Sequence, residues 1–373
     1  MQKIKIERIE TLLVDLPTIR PHQLAMTSMK KQSMVIVRLF SSDGVEGIGE
    51  GTTIGGLSYC DESPEGIKLS IDTYLAPVLI DADATNIHAA MLQLEKAARG
   101  NRIAKSAVET ALLDAQGKRL GVSVATLLGG AVTESLPVLW TLASGDSGRD
   151  IDEAERFLSE KRHQIFKLKI GKRELHEDIA HVSRIKRALG SRAKITVDLN
   201  QAWSETTAKV GIEKLQELGV DLIEQPIAKE NIRGLARLTK RFTVPLMADE
   251  SVCTPTDALS LANLSAADVY AIKIGKSGGL YNVLKTAAVA EAAGVALYGG
   301  TLLEGSIGSI ASAHAFATLT SLEWGTELFG PLLLTDDIIV TPLEYKNFQL
   351  TLPKGPGLGI ALDLKKLKHF QRS

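Results

Sequence analysis

The order of elements along the chain points to an α/β protein, a (β/α)7β TIM-like barrel preceded by a small α+β capping domain. Three observations predict it. From Leu136 onward, short apolar runs alternate with amphipathic helical windows, the pattern of a parallel sheet. Eight such runs occur in series, the count that closes a barrel. Acidic residues recur at the ends of those runs, one βα unit apart.

A chain of 373 residues exceeds the roughly 250 to 300 at which a single core stops growing, so two domains are expected. Residues 4–14, 34–40 and 45–49 read as antiparallel strands, with a tight turn at Asp43-Gly44. Residues 17–31, with Pro21 and polar Thr27-Ser28, read as a loop, and residues 51–63 as a second one. The glycine-dense run GVEGIGEG (44–51) lacks the register of a phosphate-binding turn opening into a helix. Helical spacing then appears at Ile67, Ile71 and Leu75, at Ile87, Met91 and Leu94, and at Val108, Ala111 and Leu112. Strands followed by helices predict an α+β domain over residues 1–130.

The eight barrel strands are expected at 137–144, 166–170, 194–200, 222–225, 245–250, 270–274, 295–298 and 323–328. Helical windows fall between them at 151–162, 174–189, 205–218, 232–241, 255–262, 280–293 and 305–318. Thr254, Pro255 and Asp257 supply a hydroxyl cap, a first-turn proline and a carboxylate, a strong helix start. The barrel is expected over 131–330, and the tail 331–373 to pack back on the capping domain.

Composition narrows the function classes. Lys+Arg number 43 against 44 Asp+Glu, a net charge of −1, so no electrostatic case exists for nucleic acid or an anionic membrane as partner. No apolar run approaches the roughly 18 residues of a membrane span, and the start MQKIKIERIE alternates charge with apolar residues, unlike a secretory signal. Cys60 and Cys253 fit no zinc spacing. A reduced, cytoplasmic setting is predicted. The histidines are scattered and no ligand is expected among them; His176 and His181 fall on a predicted surface helix.

Chemistry concentrates around FKLKIG (166–171), where Lys167 and Lys169 share one face of a strand and Phe166, Leu168 and Ile170 the other. Two like charges on one face need a negative counterpart unless the strand is a solvated edge. That counterpart arrives at the next strand ends: Asp198 and Asn200, Glu224, then Asp249 with Glu250, followed by Lys273. The successive intervals from Asp198 to Glu224, from Glu224 to Asp249 and from Asp249 to Lys273 are 26, 25 and 24 residues, which sets all four at matching heights at the C-terminal ends of the strands, where barrel active sites lie. Converging carboxylates without His or Cys call for a hard cation, Mg²⁺ or Mn²⁺. Alternation lets only one of Asp249 and Glu250 point inward along a regular strand; Asp249 is taken as the ligand, and the pattern allows the reverse.

The chain resembles the muconate-lactonizing branch of the enolase superfamily over nearly its full length. The phrases are PTIRPH (17–22), TTIGG (52–56), ESPEGIK (62–68), TLASGD (141–146), FKLKIG, LIEQP (222–226), MADES (247–251), LYGGT (297–301), LEGSIGS (303–309) and WGTELFGPLLLT (324–335). The resemblance implies that Asp198, Glu224 and Asp249 bind Mn²⁺ or Mg²⁺. It implies that Lys169 moves a proton next to a substrate carboxylate, that Lys167 assists electrostatically, that Lys273 lies on the opposite face and that Glu327 sits near the reacting centre. The substrate pocket would draw on Ile54, Tyr59, Phe329 and Asn200. The implied activity is the reversible lactonization of cis,cis-muconate to muconolactone, by a homo-oligomer of up to eight subunits acting on a small dicarboxylate. Chlorinated muconates, or epimerization of a dipeptide or N-acylamino acid, are the alternatives that share such a site; a non-enzymatic anion-binding barrel has no use for acids facing lysines.

Overall fold

The computed structural model describes residues 3–25 and 27–372. A long antiparallel hairpin opens it: β1 (Ile6–Gln23), β2 (Ser28–Ser41) and β3 (Glu46–Thr52) pair in that order. The loop expected over 17–31 is therefore mostly strand, although Met26 within it lies outside the described residues. Pairing slips between Pro17 and His22 and resumes at His22↔Met29. Because β1 is an edge strand, the prolines cost little of the ladder there.

The glycine-dense run has a packing purpose. A Cβ on Gly47 would lie 2.0 Å from the carbonyl oxygen of Ala111, and one on Gly49 2.0 Å from that of Ala107. Only glycine lets β3 lie directly on the helix Arg102–Leu120, whose Ala104, Ala107 and Ala111 are buried beneath it.

Two expected barrel strands are corrected. The single strand over 137–144 divides into β4 (Ser135–Pro137), which joins the C-terminal tail, and β5 (Trp140–Leu142), which enters the barrel. From β5 the parallel sheet runs in sequence order through β6 (Ile165–Lys169), β7 (Lys194–Asp198), β8 (Leu222–Glu224), β9 (Leu246–Ala248), β10 (Val269–Ile272) and β11 (Ala296–Gly299). The strand expected over 323–328 is reduced to one residue: Thr326 forms parallel bridges to both Val138 and Gly299. The N–H of Thr326 donates to Pro137 at 2.9 Å, and that of Glu327 to Gly299 at 2.8 Å, so this segment joins the two ends of the sheet. A left-handed turn at Gly325 leaves no room for a longer ladder.

The seven helical windows all form, as Ser147–Ser159, Leu175–Leu189, Glu205–Glu217, Ile232–Arg241, Pro255–Asn263, Leu280–Ala292 and Ser306–Phe316. The cap at Thr254 is reciprocal with Asp257. His181, expected on a surface helix, is instead buried, its Nδ1 2.8 Å from Ser147 Oγ. The tail adds β12 (Tyr345–Lys346) and β13 (Gln349–Thr351), which pair with each other and with β4. It also reaches the capping domain: Gln371 bridges Val14, and Arg372 Nη2 donates to Asp15 Oδ1 at 2.6 Å. The tail thus touches both parts of the molecule.

Candidate active site

Strand β6 lies between β5 and β7, which excludes the edge-strand explanation for its lysines. Phe166 and Leu168 face one buried layer, and Lys167 and Lys169 turn to the barrel axis. Register brings the acids alongside. Lys169 is the direct neighbour of Asp198, and Asp198 that of Glu224. Lys167 Nζ donates to Glu327 Oε2 at 2.8 Å and lies 4.7 Å from the centre of the Tyr298 ring. It also stands 2.6 Å from Glu224 Oε2, an ion pair without hydrogen-bond alignment. Lys169 pairs with Asp198 and reaches Asn200 Oδ1 at 3.5 Å.

Across the ring, β10 is four positions from β6, which sets Lys273 on the opposite wall. Its Nζ donates to Asp249 Oδ2 at 2.6 Å and to the Tyr59 hydroxyl at 2.7 Å, and that hydroxyl donates to Asp249 Oδ2. Lys276, not anticipated from the sequence, donates to Asp249 Oδ1 at 2.5 Å and to its carbonyl at 2.6 Å. It follows Lys273 on a short helical turn, Ile274–Ser277, too close to the strand end for periodicity to reveal.

The choice between Asp249 and Glu250 dissolves. Strand β9 ends at Ala248, so both acids lie on a turn where alternation no longer applies. Gln225 holds that turn by accepting from the N–H groups of Asp249 and Ser251 at 2.9 and 3.2 Å. Glu250 Oε1 accepts from Asn200 Nδ2 at 3.1 Å. Asn200, two residues beyond the end of β7, and Gln225, directly after β8, both take positive φ, +41° and +36°, the kind of backbone strain that clusters at functional sites.

Charge crowding shows in the acidities. Burial and then the charge of Asp198 push the Glu224 carboxyl up to about 8. Burial, Asp249 and Asp198 push Glu250 up to about 7. Asp249 goes the other way: burial opposes ionisation, but Lys273 and Lys276 outweigh it and hold its carboxyl well below the usual range. Burial likewise works against the Lys167 ammonium, and Glu224 and Glu327 outweigh it.

Among the described residues, no three His, Cys, Asp or Glu side chains converge as a ready-made metal cage; each of the three acids turns to a lysine. The donor set nevertheless fits a hard dication. Asp198, Glu224 and Asp249 offer oxygens only and are buried, Glu224 Oε2 and Glu250 Oε2 lack hydrogen-bond partners, and a dication would offset both the burial and the Asp198 charge that raise the Glu224 carboxyl.

Above the acids lies a cavity bounded on the barrel side by Lys169, Asp198, Asn200, Lys273, Thr301, Leu303 and Glu327. The capping domain supplies His22 and Leu24 from the hairpin end, and Ile54 and Tyr59 from the loop after β3. The enclosed space is about 10 Å³, room for about one water, so a dicarboxylate enters only when these side chains move aside. Phe329, expected in the pocket, does not line it; it is fully buried against Trp140, ring centres 4.9 Å apart, and lies 6.3 Å from His22. His22 lines the cavity instead, with neither ring nitrogen bonded to protein. Burial, then Arg20 and Lys169, lower it to about 3, so the imidazole is neutral. His22, Thr301 and Leu303 all fall inside phrases that carried the family resemblance, but their pocket role depends on the meeting of two domains. Cys60 bonds Thr53 Oγ1 at 3.0 Å and burial pushes its thiol up, so it is no nucleophile.

Comparison with known proteins agrees with this geometry. Residues 149–366 match the model of enolase C-terminal domain-like proteins, and residues 8–129 that of the mandelate racemase / muconate lactonizing enzyme N-terminal domain. Muconate cycloisomerase 1 of Pseudomonas putida is 58% identical, with 100% of both chains covered. A chloromuconate cycloisomerase of Delftia acidovorans is 45% identical, with 99% of this chain and 100% of the relative covered. The crystal structure of a muconate lactonizing enzyme from Pseudomonas fluorescens, complexed with muconolactone, superposes with a TM-score of 0.98 at 57% identity over 100% of both chains.

Proposed function

We propose that this chain, which belongs to the mandelate racemase / muconate lactonizing enzyme family of the enolase superfamily, interconverts cis,cis-muconate and muconolactone by the chemistry of its lysine-lined cavity. It is an isomerase that catalyses an intramolecular cycloisomerization. What carries the assignment is the pair Lys169 and Lys273 on opposite walls of one cavity, Lys169 paired with Asp198, which also lines it, and Lys273 with Asp249. The muconate cycloisomerases match at 53 to 58% identity and the chlorinated-substrate relatives at 44 to 45%, which favours unsubstituted muconate.

In the forward direction one carboxylate oxygen adds to the distal double bond, and the electron pair moves to the carbon next to the second carboxylate. That carbon takes a proton from the Lys169 ammonium; the reverse reaction returns it. Asp198, Glu224 and Asp249 would hold Mn²⁺ or Mg²⁺, which when bound supplies charge stabilisation to the carboxylate that gains electron density. Lys167, seated between Glu224 and Glu327, offsets the repulsion between those acids and adds positive potential to the site. Asn200, oriented by Glu250, presents its amide to the cavity. Ile54 and Tyr59 close the top and exclude water, and Phe329 supports His22 from behind. The partner is a small dicarboxylate rather than nucleic acid or membrane. No helix among the described residues is long and apolar enough to cross a bilayer. A cytoplasmic homo-oligomer of up to eight subunits completes the proposal.

The test is loss of the diene's ultraviolet absorbance on addition of cis,cis-muconate, with Mn²⁺ and after chelation, beside a chlorinated muconate. Turnover that disappears on chelation and returns with Mn²⁺, faster on muconate than on its chlorinated analogue, is expected. Absence of muconate turnover under every condition overturns the assignment.

A further inference from the structure

Leu303 forms one wall of the cavity in a main-chain conformation that leucine seldom adopts, with φ at +60°. A residue with a Cβ is strained there, and such strain persists only where the surroundings over-determine it. The surroundings come largely from the other domain. Gln32, buried on β2, donates from Nε2 to the carbonyls of Leu302 and Leu303 at 3.1 and 2.9 Å. Within the loop, the N–H of Leu303 donates to Thr301 Oγ1 at 2.9 Å, and that of Leu302 to Glu304 Oε2 at 2.8 Å. At the far end, Glu50 of β3 accepts from the N–H groups of Gly305 and Gly308 at 2.7 and 2.8 Å. A side chain at Gly305 would press on the capping domain, its Cβ 2.7 Å from Met34 Sδ on β2. The barrel loop is thus held at both ends by capping-domain side chains, and the strained residue is the one that lines the cavity.

We infer that Gln32 is a positioning residue that sets the width of the substrate cavity through Leu303, so that the sheet of the capping domain, and not only the loop after β3, decides which dicarboxylates are accepted. This rests on the proposed muconate chemistry. Gln32→Met keeps the length of the side chain and removes both donors. It should raise KM for cis,cis-muconate about tenfold with kcat changed less than about threefold, the loss expected of two hydrogen bonds used in positioning. The preference for muconate over 3-chloromuconate should fall at least about threefold, and amides 301–305 should exchange with deuterium about tenfold faster.

Glycine adopts positive φ freely, so Leu303→Gly should show the same loss of preference. Adding Gln32→Met to it should change KM less than about twofold, because no strained residue remains to be held. A Gln32→Met enzyme with unchanged KM, preference and exchange overturns the inference, as do effects that simply multiply in the double variant. If Gln32→Met does not fold, Leu303→Gly with undiminished preference overturns it. A wild-type enzyme inert toward muconate instead overturns the functional assignment, and the exchange measurement on Gln32→Met then decides the positioning role by itself.

Discussion

At the barrel mouth, Asp198, Glu224, Asp249 and Glu327 lie against the ammonium groups of Lys167, Lys169, Lys273 and Lys276. At the seam with the capping domain, Glu50 and Glu109 lie against main-chain N–H groups of the barrel: Gly305 and Gly308, and Tyr281. Both regions bury carboxylates, yet only the first surrounds them with groups that can give up a proton. Amides offer fixed partial charges and anchor a geometry; ammoniums offer full charges and chemistry. The acidities diverge where two lysines meet one acid. Burial pushes Glu50 and Glu109 up to about 7 with no cation to oppose it effectively, whereas burial at Asp249 is overcome by two lysines; Glu224, with burial and Asp198 against a single lysine, is still raised to about 8. A buried acid on amides marks architecture, and a buried acid among lysines marks a site.

The contrast is most exposed at Lys169. Lys169→Ala should lower kcat by about 10² to 10⁴, the usual worth of a positioned proton donor, while the circular dichroism spectrum stays that of the wild type. An alanine variant that turns over muconate normally would move proton transfer away from the mouth.

The capping-domain packing that carries Glu50 to the seam should respond in stability instead. Gly49→Ala places a methyl group 2.0 Å from the Ala107 carbonyl oxygen, so β3 must lift from its helix at a cost of roughly 1 to 3 kcal/mol, read in urea unfolding. The folded fraction should keep its kcat. A fall in kcat without loss of stability would show that the seam takes part in the chemistry.

The smallest effect is one of pH. The folded Glu109 carboxyl, pushed by burial from 4.5 to about 7, binds more proton than the unfolded chain between those values. Its contribution to stability is full below pH about 4.5 and is lost as pH rises through about 7. Glu109→Gln removes that dependence. Wild type should therefore compare better with the variant at pH 5 than at pH 8, by at most roughly 3 kcal/mol. Equal differences at the two pH values would mean that this acid is ionised throughout.

Much of the mouth was legible in advance because its signals are local. Asp198, Glu224 and Asp249 fall at strand ends by periodicity, and Ile232–Arg241 forms within the predicted bounds. Where local pattern misled, a particular constraint prevailed. The prolines at 17 and 21 suggested a loop, but an edge strand tolerates them. The turn after β9 released Asp249 and Glu250 from alternation. The run 323–328 has strand composition, yet Gly325 leaves only Thr326 to bridge the ends of the sheet.

By itself the sequence determined the succession of strands and helices, the residue types at the mouth and their spacing, because side-chain periodicity and chemical type are properties of neighbouring residues. Only the tertiary structure decided which acid meets which lysine, that His22 lines the cavity while Phe329 stands behind it, and that Gln32 holds Leu303. Those contacts join residues from distant parts of the chain, 271 positions apart for Gln32 and Leu303. Packing two domains together brings them into register, and no local pattern encodes it.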